Sequence, residues 1–191
     1  MKKFLAVVAL AFTTLTLSAQ NITVYAGLGI TNLTGDDVEN CEACLSYKGG
    51  VSYEVEMNDQ FSVIPAGELV MKGYKPKGGD DNVKLVYLQM PVHAAYKIDI
   101  ADDMNLVLKA GPYFGFGLFG SEISFGGEKQ NVFDNGGFKR FDVGLSCGVG
   151  MDVSKFAIGI EFTRGLTNAN DGSDDFKFFN QTFGLTFGYR F

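Results

Sequence analysis

Tryptophan is absent from this 191-residue chain, and histidine occurs once, at His93. A lone histidine leaves few ways to build a histidine-rich metal site, and it makes His93 the one side chain with ordinary acid–base chemistry near neutral pH. Beyond the amino terminus there is no apolar run of about 18 residues, so no further transmembrane helix is expected. Basic residues are not in excess. The formal charge is −6, and loss of Lys2 and Lys3 with an amino-terminal leader would take it to −8. Nucleic-acid phosphates call for a basic partner surface, so this balance argues against nucleic acid as a partner. Cysteine is sparse: Cys41 and Cys44 form a C-x-x-C pair, and Cys147 stands alone. The βαβ setting of a thioredoxin-type motif is missing, and so is a four-ligand zinc set. In an exported chain the pair is read as a local loop disulfide or as free thiols.

Glycine and phenylalanine are plentiful instead, at 25 and 18 residues. Glycine alone is nearly twice its usual share of about 7%. The amino terminus has the layout of a secretory signal peptide: Lys2 and Lys3, an apolar stretch from Phe4 to Phe12, and Leu17-Ser18-Ala19 as a cleavage site before Gln20. Threonines thin the apolar run, which disfavours a retained anchor helix. The expected organisation is a signal peptide over 1–19 and one domain over 20–191.

Period-2 alternation dominates that domain. From Phe178 to the terminal Phe191, the residues Phe183, Leu185, Phe187, Tyr189 and Phe191 share one face, and Asn180, Thr182, Gly184, Thr186, Gly188 and Arg190 share the other. Such alternation specifies a strand with one apolar face and one small or polar face. Seven earlier segments repeat it: Ile22–Leu33, Lys48–Met57, Gln60–Lys75, Val83–Ile98, Asn105–Leu118, Phe138–Asp152 and Lys155–Leu166. The connections alternate in length. Asn58-Asp59, Ile100 to Met104 and Val153-Ser154 are short. Thr34 to Tyr47, Pro76 to Asn82, Phe119 to Gly137 and Asn168 to Phe176 are long and polar. Short turns on one side and long loops on the other are the asymmetry of a membrane β-barrel, with an even strand count placing both termini on the periplasmic side.

The faces decide which way such a barrel is turned. Glu54, Glu56, Glu68, Asp142 and Glu161 share the polar face with Lys72, Lys97, Lys109, Arg140 and Arg190, and most strand glycines lie there too. Acids and bases can pair in a narrow lumen where unpaired charges would be costly. The opposite face is too uniformly apolar for the inside of an eight-stranded barrel, which holds only side chains or one small ligand. The expected fold is therefore all-β: an eight-stranded antiparallel up-and-down transmembrane barrel of OmpA/OmpX-like size. A soluble lipocalin-like ligand-binding barrel is the alternative, with the faces reversed.

Chemistry-bearing motifs are few. His93 falls on the lumen face with Glu68, Glu161 and Ser146, a set from which a Ser/His/acid site of a lipid-modifying outer-membrane enzyme could be built. No nucleophile motif of fixed spacing accompanies it, and a structural lumen histidine is the favoured reading. The glycines from Gly111 to Gly117 follow strand alternation and lack the context of a phosphate loop. Asp36, Asp37, Glu39 and Glu42, then Asp80 and Asp81, then Asp171, Asp174 and Asp175 form acidic loop patches without the EF-hand pattern. Asn135 to Gly137 reads as turn chemistry. No residue is assigned to catalysis, to a cofactor or to a metal.

Several short segments resemble the PorT-like outer-membrane β-barrel family common in Bacteroidota. They are Ala26-Gly27-Leu28-Gly29-Ile30-Thr31-Asn32-Leu33-Thr34-Gly35, Tyr87-Leu88-Gln89-Met90-Pro91-Val92, Ala110-Gly111-Pro112-Tyr113, Phe141-Asp142-Val143-Gly144-Leu145, Arg164-Gly165-Leu166-Thr167-Asn168 and Gly188-Tyr189-Arg190-Phe191. Ser18-Ala19-Gln20 is similar to signal ends of that phylum. The resemblance implies a fold and a location, the Gram-negative outer membrane, and carries no catalytic residues. The expectation is a small non-enzymatic barrel, structural or loop-displaying, with a side-chain-filled lumen and no wide pore. Its partners would be outer-membrane lipid and the barrel-insertion machinery, which the aromatic terminus at Phe191 would engage.

Overall fold

In a computed structural model, the described residues are 21–35, 41–76, 83–120, 122–125, 128–131, 133, 138–169 and 177–191. The proposed signal peptide lies outside them. So do the residues of the acidic loop patches named above other than Glu42, and the turn at Asn135 to Gly137.

Eight long strands form the wall: β1 (Ile22–Gly35), β2 (Cys44–Tyr53, continued by Val55–Glu56), β3 (Phe61–Pro76), β4 (Val83–Ala101), β5 (Met104–Gly120), β6 (Phe141–Val153), β7 (Phe156–Gly165) and β8 (Phe178–Arg190). Each pairs antiparallel with its sequence neighbour. β8 then pairs with β1 from Thr23↔Arg190 to Gly35↔Phe178, which closes the barrel. Closure leaves no sheet edge, the condition for spanning lipid with strands. The three tight turns and both ends of the barrel chain lie at one end, here the turn end. The longer connections lie at the other, the loop end.

The wall extends further into the connections than alternation predicts. β1 reaches Gly35 and β2 begins at Cys44, so Thr34 and Cys44 to Tyr47 belong to strands, not to a loop. Cys41 and Glu42 pair with Pro76 and Lys75, which places the C-x-x-C pair in strand structure; Cys41, Cys44 and Cys147 are free thiols. Glu122–Phe125 and Glu128–Asn131 form a hairpin within the connection after β5. Conversely, β6 begins at Phe141, and Phe138 turns inward instead of extending it. Backbone pairing continues wherever a neighbouring strand offers partners, and side-chain polarity does not report that.

The barrel is apolar outside and polar inside. One ladder row runs Ala26, Gly49, Leu69, Leu88, Phe116 and Phe141 around six strands. The four large members of that row are exposed, and Leu28, Ile30, Leu145, Ile158, Leu185 and Phe187 extend the exposed belt around the barrel. Glu68, Lys72, Gln89, His93, Asp142, Ser146 and Glu161 are buried. A soluble barrel would bury the first set and expose the second. The soluble lipocalin-like alternative is therefore excluded by the direction of the side chains. Met71 departs from the pattern: its apolar face was expected outside, yet it is buried, near where the β2–β3 pairing passes to the Cys41–Glu42 segment. Among the described residues, no helix is long and apolar enough to cross a membrane.

Candidate functional site: the barrel lumen

Inward side chains form four groups between the two ends. At the turn end, Arg190 binds Asp152 at 2.6 Å and Glu54 at 3.3 Å, while Lys97 binds Glu54 at 2.8 Å. These pairs join β8 to β6 and β2, and β4 to β2, across the lumen. Above them lies a cavity of about 100 Å³, lined in part by Tyr25, Ile64, His93, Lys109, Glu161 and Arg190. Glycines make this room: Gly150, Gly159 and Gly188 line the cavity where longer side chains would fill it.

The second group centres on Lys48. Its ammonium binds Glu161 and, at 3.2 Å, Glu68. Lys109 reaches the other oxygen of Glu161 at 2.7 Å. Tyr25 and Gln89 both donate to Glu68 at 2.8 Å. Two carboxylates thus face two ammonium groups with neutral donors filling the remaining lone pairs, which is how buried charge is made tolerable. A third group lies at the height of the cavity that His93 lines: His93 Nε2 is 2.5 Å from Ser146 Oγ, and Ser146 donates to the Gly111 carbonyl at 3.4 Å.

The fourth group is built on Asp142. Lys72 donates to its Oδ2 at 2.8 Å, Asn180 at 3.1 Å and Tyr113 at 3.3 Å, and Thr167 donates to Oδ1 at 3.3 Å. Lys72 is wholly buried and lies 4.3 Å from the centre of the Tyr113 ring and 5.3 Å from that of Tyr87. Both aromatic faces therefore add to the stabilisation of its charge. Above Asp142 the lumen turns apolar. Leu33, Val70, Val83, Leu85, Tyr87, Phe133, Phe138 and Ala169 form a cluster that caps the loop end. Phe133 meets Tyr87 edge to face at 5.7 Å. Its ring occupies the space that a Cβ at Gly117 would need, 2.5 Å away, so a side chain at Gly117 would displace it.

The sequence reading of the lumen needs three corrections. Lys48 and Asp152 belong to the ion network, although the balanced set of acids and bases omitted both. Glu56 carries a side chain that is 62% exposed and only touches Lys97 at 3.8 Å. Arg140 sits beside the cap, donating to the Gly117 carbonyl at 3.1 Å with Phe133 under its guanidinium. Parity names the face of a residue but not its height, and Glu56 lies at the rim. Lys48 carried the same signal as Ser52 and Glu54, its even-numbered neighbours on β2. Phe133 and Phe138 gave none, because they belong to a connection without alternation.

Of the set around His93, the fold brings Ser146 into contact, whereas Glu68 and Glu161 are taken up by Lys48, Lys109, Tyr25 and Gln89. Among the described residues no carboxylate is hydrogen-bonded to His93, and no cluster of three or more metal-ligating side chains occurs. A Ser–His contact without an orienting acid is a weak basis for a triad. The lumen as a whole is a stack of neutralised pairs under an apolar lid.

Two solved barrels share this architecture. Neisserial surface protein A matches over 90% of this chain and 97% of its own, at 13% identity and a TM-score of 0.56. The outer membrane enzyme PagL matches over 88% of this chain and 99% of its own, at 14% identity and a TM-score of 0.55. At these identities the likeness is one of fold. No curated protein sequence matches the chain. Residues 18–171 match the model of a family described as the outer membrane protein beta-barrel domain. With most of the chain covered and an inside-out closed barrel, the protein belongs to the outer membrane protein beta-barrel domain family.

Proposed function

We propose that this protein is a non-enzymatic outer-membrane barrel, structural or surface-displaying, with a lumen closed to axial flow. The observation that carries the reading is the continuous filling of the loop half of the lumen. The Asp142 group spans β3, β5, β6 and β8, and the apolar cap lies directly above it. Water and solutes have no polar path through such a lid. The turn end and both termini face the periplasm, and the long connections face outward, by the loop asymmetry of such barrels. The mature protein comprises residues 20–191 after removal of 1–19. The segments quoted above support placing it among PorT-like proteins of Bacteroidota. Its partners are outer-membrane lipid and, through the strand ending at Phe191, the insertion machinery; deletion of Gly188 to Phe191 is expected to impair membrane assembly first, and normal insertion would count against this. Nucleic acid is not among its partners.

Planar bilayers test the closed lumen. Purified protein is expected to give no stable conductance, and large, long-lived channels would overturn the reading. A second reading, a lipid-modifying enzyme, is favoured by one observation, the 2.5 Å contact of His93 with Ser146. It predicts that His93→Ala abolishes hydrolysis or transfer of lipid acyl groups by the purified barrel. Absence of any such activity in the unmodified protein would remove it.

A further inference from the structure

The pairing of β4 with both neighbours is interrupted near mid-strand. Toward β3, the partners of β4 run to Pro65↔Val92 and resume at Glu68↔Gln89, so Ala66 and Gly67 are unpaired with Pro91 and Met90. Toward β5 they run to Pro91↔Tyr113 and resume at Ala94↔Ala110, leaving Val92 and His93 unpaired with Pro112 and Gly111. The register is the same on both sides of each gap, so the ladder is interrupted and not shifted. The cause is in the sequence. Pro65, Pro91 and Pro112 stand in three adjacent strands, and none has an N–H to give.

A broken ladder in a bilayer leaves polar backbone groups that need other partners. Gly111 keeps its pairing to Ser146 in β6, whose Oγ also donates to its carbonyl, and the His93 side chain from the same gap contacts that hydroxyl. A Cβ at Gly111 would lie 2.0 Å from the Val92 carbonyl oxygen, so only glycine allows the two backbones this approach. The His93–Ser146 contact, from β4 to β6, thus ties the two sides of the interrupted β4–β5 line.

Small residues flank the seam on the outside and a cavity adjoins it on the inside. Outside, Gly67, Ala94 and Ala110 replace the large residues that flank them, such as Leu69, Leu88 and Phe114. Inside, Ala66 and His93, one from each gap, line the cavity of about 100 Å³ together with Ile64 and Val107.

We propose that the proline seam of β3, β4 and β5 is a lateral entry by which the hydrocarbon chain of a membrane amphiphile reaches the His93-lined cavity. The His93–Ser146 contact is its latch. The occupant follows from position: the outer mouth opens within the exposed apolar belt, where acyl chains are the surrounding medium, and Ile64, Ala66 and Val107 offer apolar wall inside. A water-soluble ligand would instead enter from the turn end. The proposal is independent of whether the lumen conducts along its axis.

Thiol accessibility in lipid nanodiscs tests it. Cys41, Cys44 and Cys147 are replaced by serine, and Ser146→Cys supplies a buried reporter thiol. A maleimide with a long alkyl tail, dissolved in the bilayer, is expected to label position 146 at least ten-fold faster than a sulfonated maleimide in the buffer. Restoring the ladder with Pro65→Val, Pro91→Val and Pro112→Val should slow that labelling at least ten-fold. Ser46→Cys, buried away from the seam, should label slowly throughout. Labelling at 146 no faster than at 46, labelling unchanged by the proline replacements, or faster labelling by the sulfonated reagent would each overturn the proposal. Hydrogen exchange of the unmodified protein in detergent gives a check free of folding effects. Amides of Ala66 and Val92, which face the two gaps, should exchange at least ten-fold faster than those of Leu69, Leu88 and Leu108, and equal protection would count against the seam.

Discussion

Replacing Asp142 by alanine removes the common acceptor of Lys72, Tyr113, Asn180 and Thr167. The largest consequence falls on Lys72, whose side chain is 1% exposed and would keep its charge with no carboxylate beside it. Removing one partner of a buried ion pair typically costs about 3–5 kcal/mol. The Tyr87 and Tyr113 faces offset a small part of this, on the order of 1 kcal/mol. The three orphaned neutral donors add to the cost, though not additively. The expected loss for Asp142→Ala is therefore about 4 kcal/mol. Adding Lys72→Met removes the stranded charge and should return the barrel to within about 2 kcal/mol of the parent, since buried pairs exchanged for apolar groups are often near neutral. Urea unfolding from lipid vesicles, followed by the heat-modifiable gel shift, measures both. A loss below about 1 kcal/mol for the single variant, or a double variant no more stable than the single, would refute the view that this group depends on charge pairing.

Leu185→Arg places a charge on the lipid face between Leu28 and Ile160; it should cost about 2–4 kcal/mol in vesicles. The same change on a face exposed to water would be nearly neutral, so a negligible effect would contradict the placement of that face in lipid. Phe133→Ala empties the centre of the cap and should cost about 3 kcal/mol; unchanged unfolding would mean that the cap contributes little to stability. Arg190→Ala loses contacts to Asp152 and Glu54 at a quarter-exposed site, so about 1 kcal/mol is expected after solvent screening. That difference should shrink in about 1 M salt, where the Debye length falls to about 3 Å; salt-independence would rule out an electrostatic origin.

The strand pattern was legible because its period matches the geometry of a strand. Leu28, Ile30, Phe183, Leu185 and Phe187 identify themselves as one face without any neighbour being known. Charge composition was nearly as informative. Acids and bases confined to one face have to find each other inside, and Glu68, Glu161, Lys97, Lys109 and Arg190 do. His93 and Ser146 could be placed on that face together, but their contact depends on the stagger of β4, β5 and β6, which no single strand records. Phe133 and Phe138 were illegible for a different reason: a connection has no period, so nothing local says that it folds back into the mouth.

The amino-acid sequence by itself determined the eight strands, the closed antiparallel barrel they imply and the inward direction of the polar face. Each follows from local alternation, connection length and the cost of exposing apolar or burying unpaired polar surface. The tertiary structure alone decided which charges pair, that Lys48 and Asp152 complete the network while Glu56 stays at the rim, and that an apolar lid seals the loop end. It also decided that three prolines far apart in the chain meet in neighbouring strands. Those outcomes depend on register and stagger, which set height within the barrel, and height is a property of the closed ring and not of any one strand.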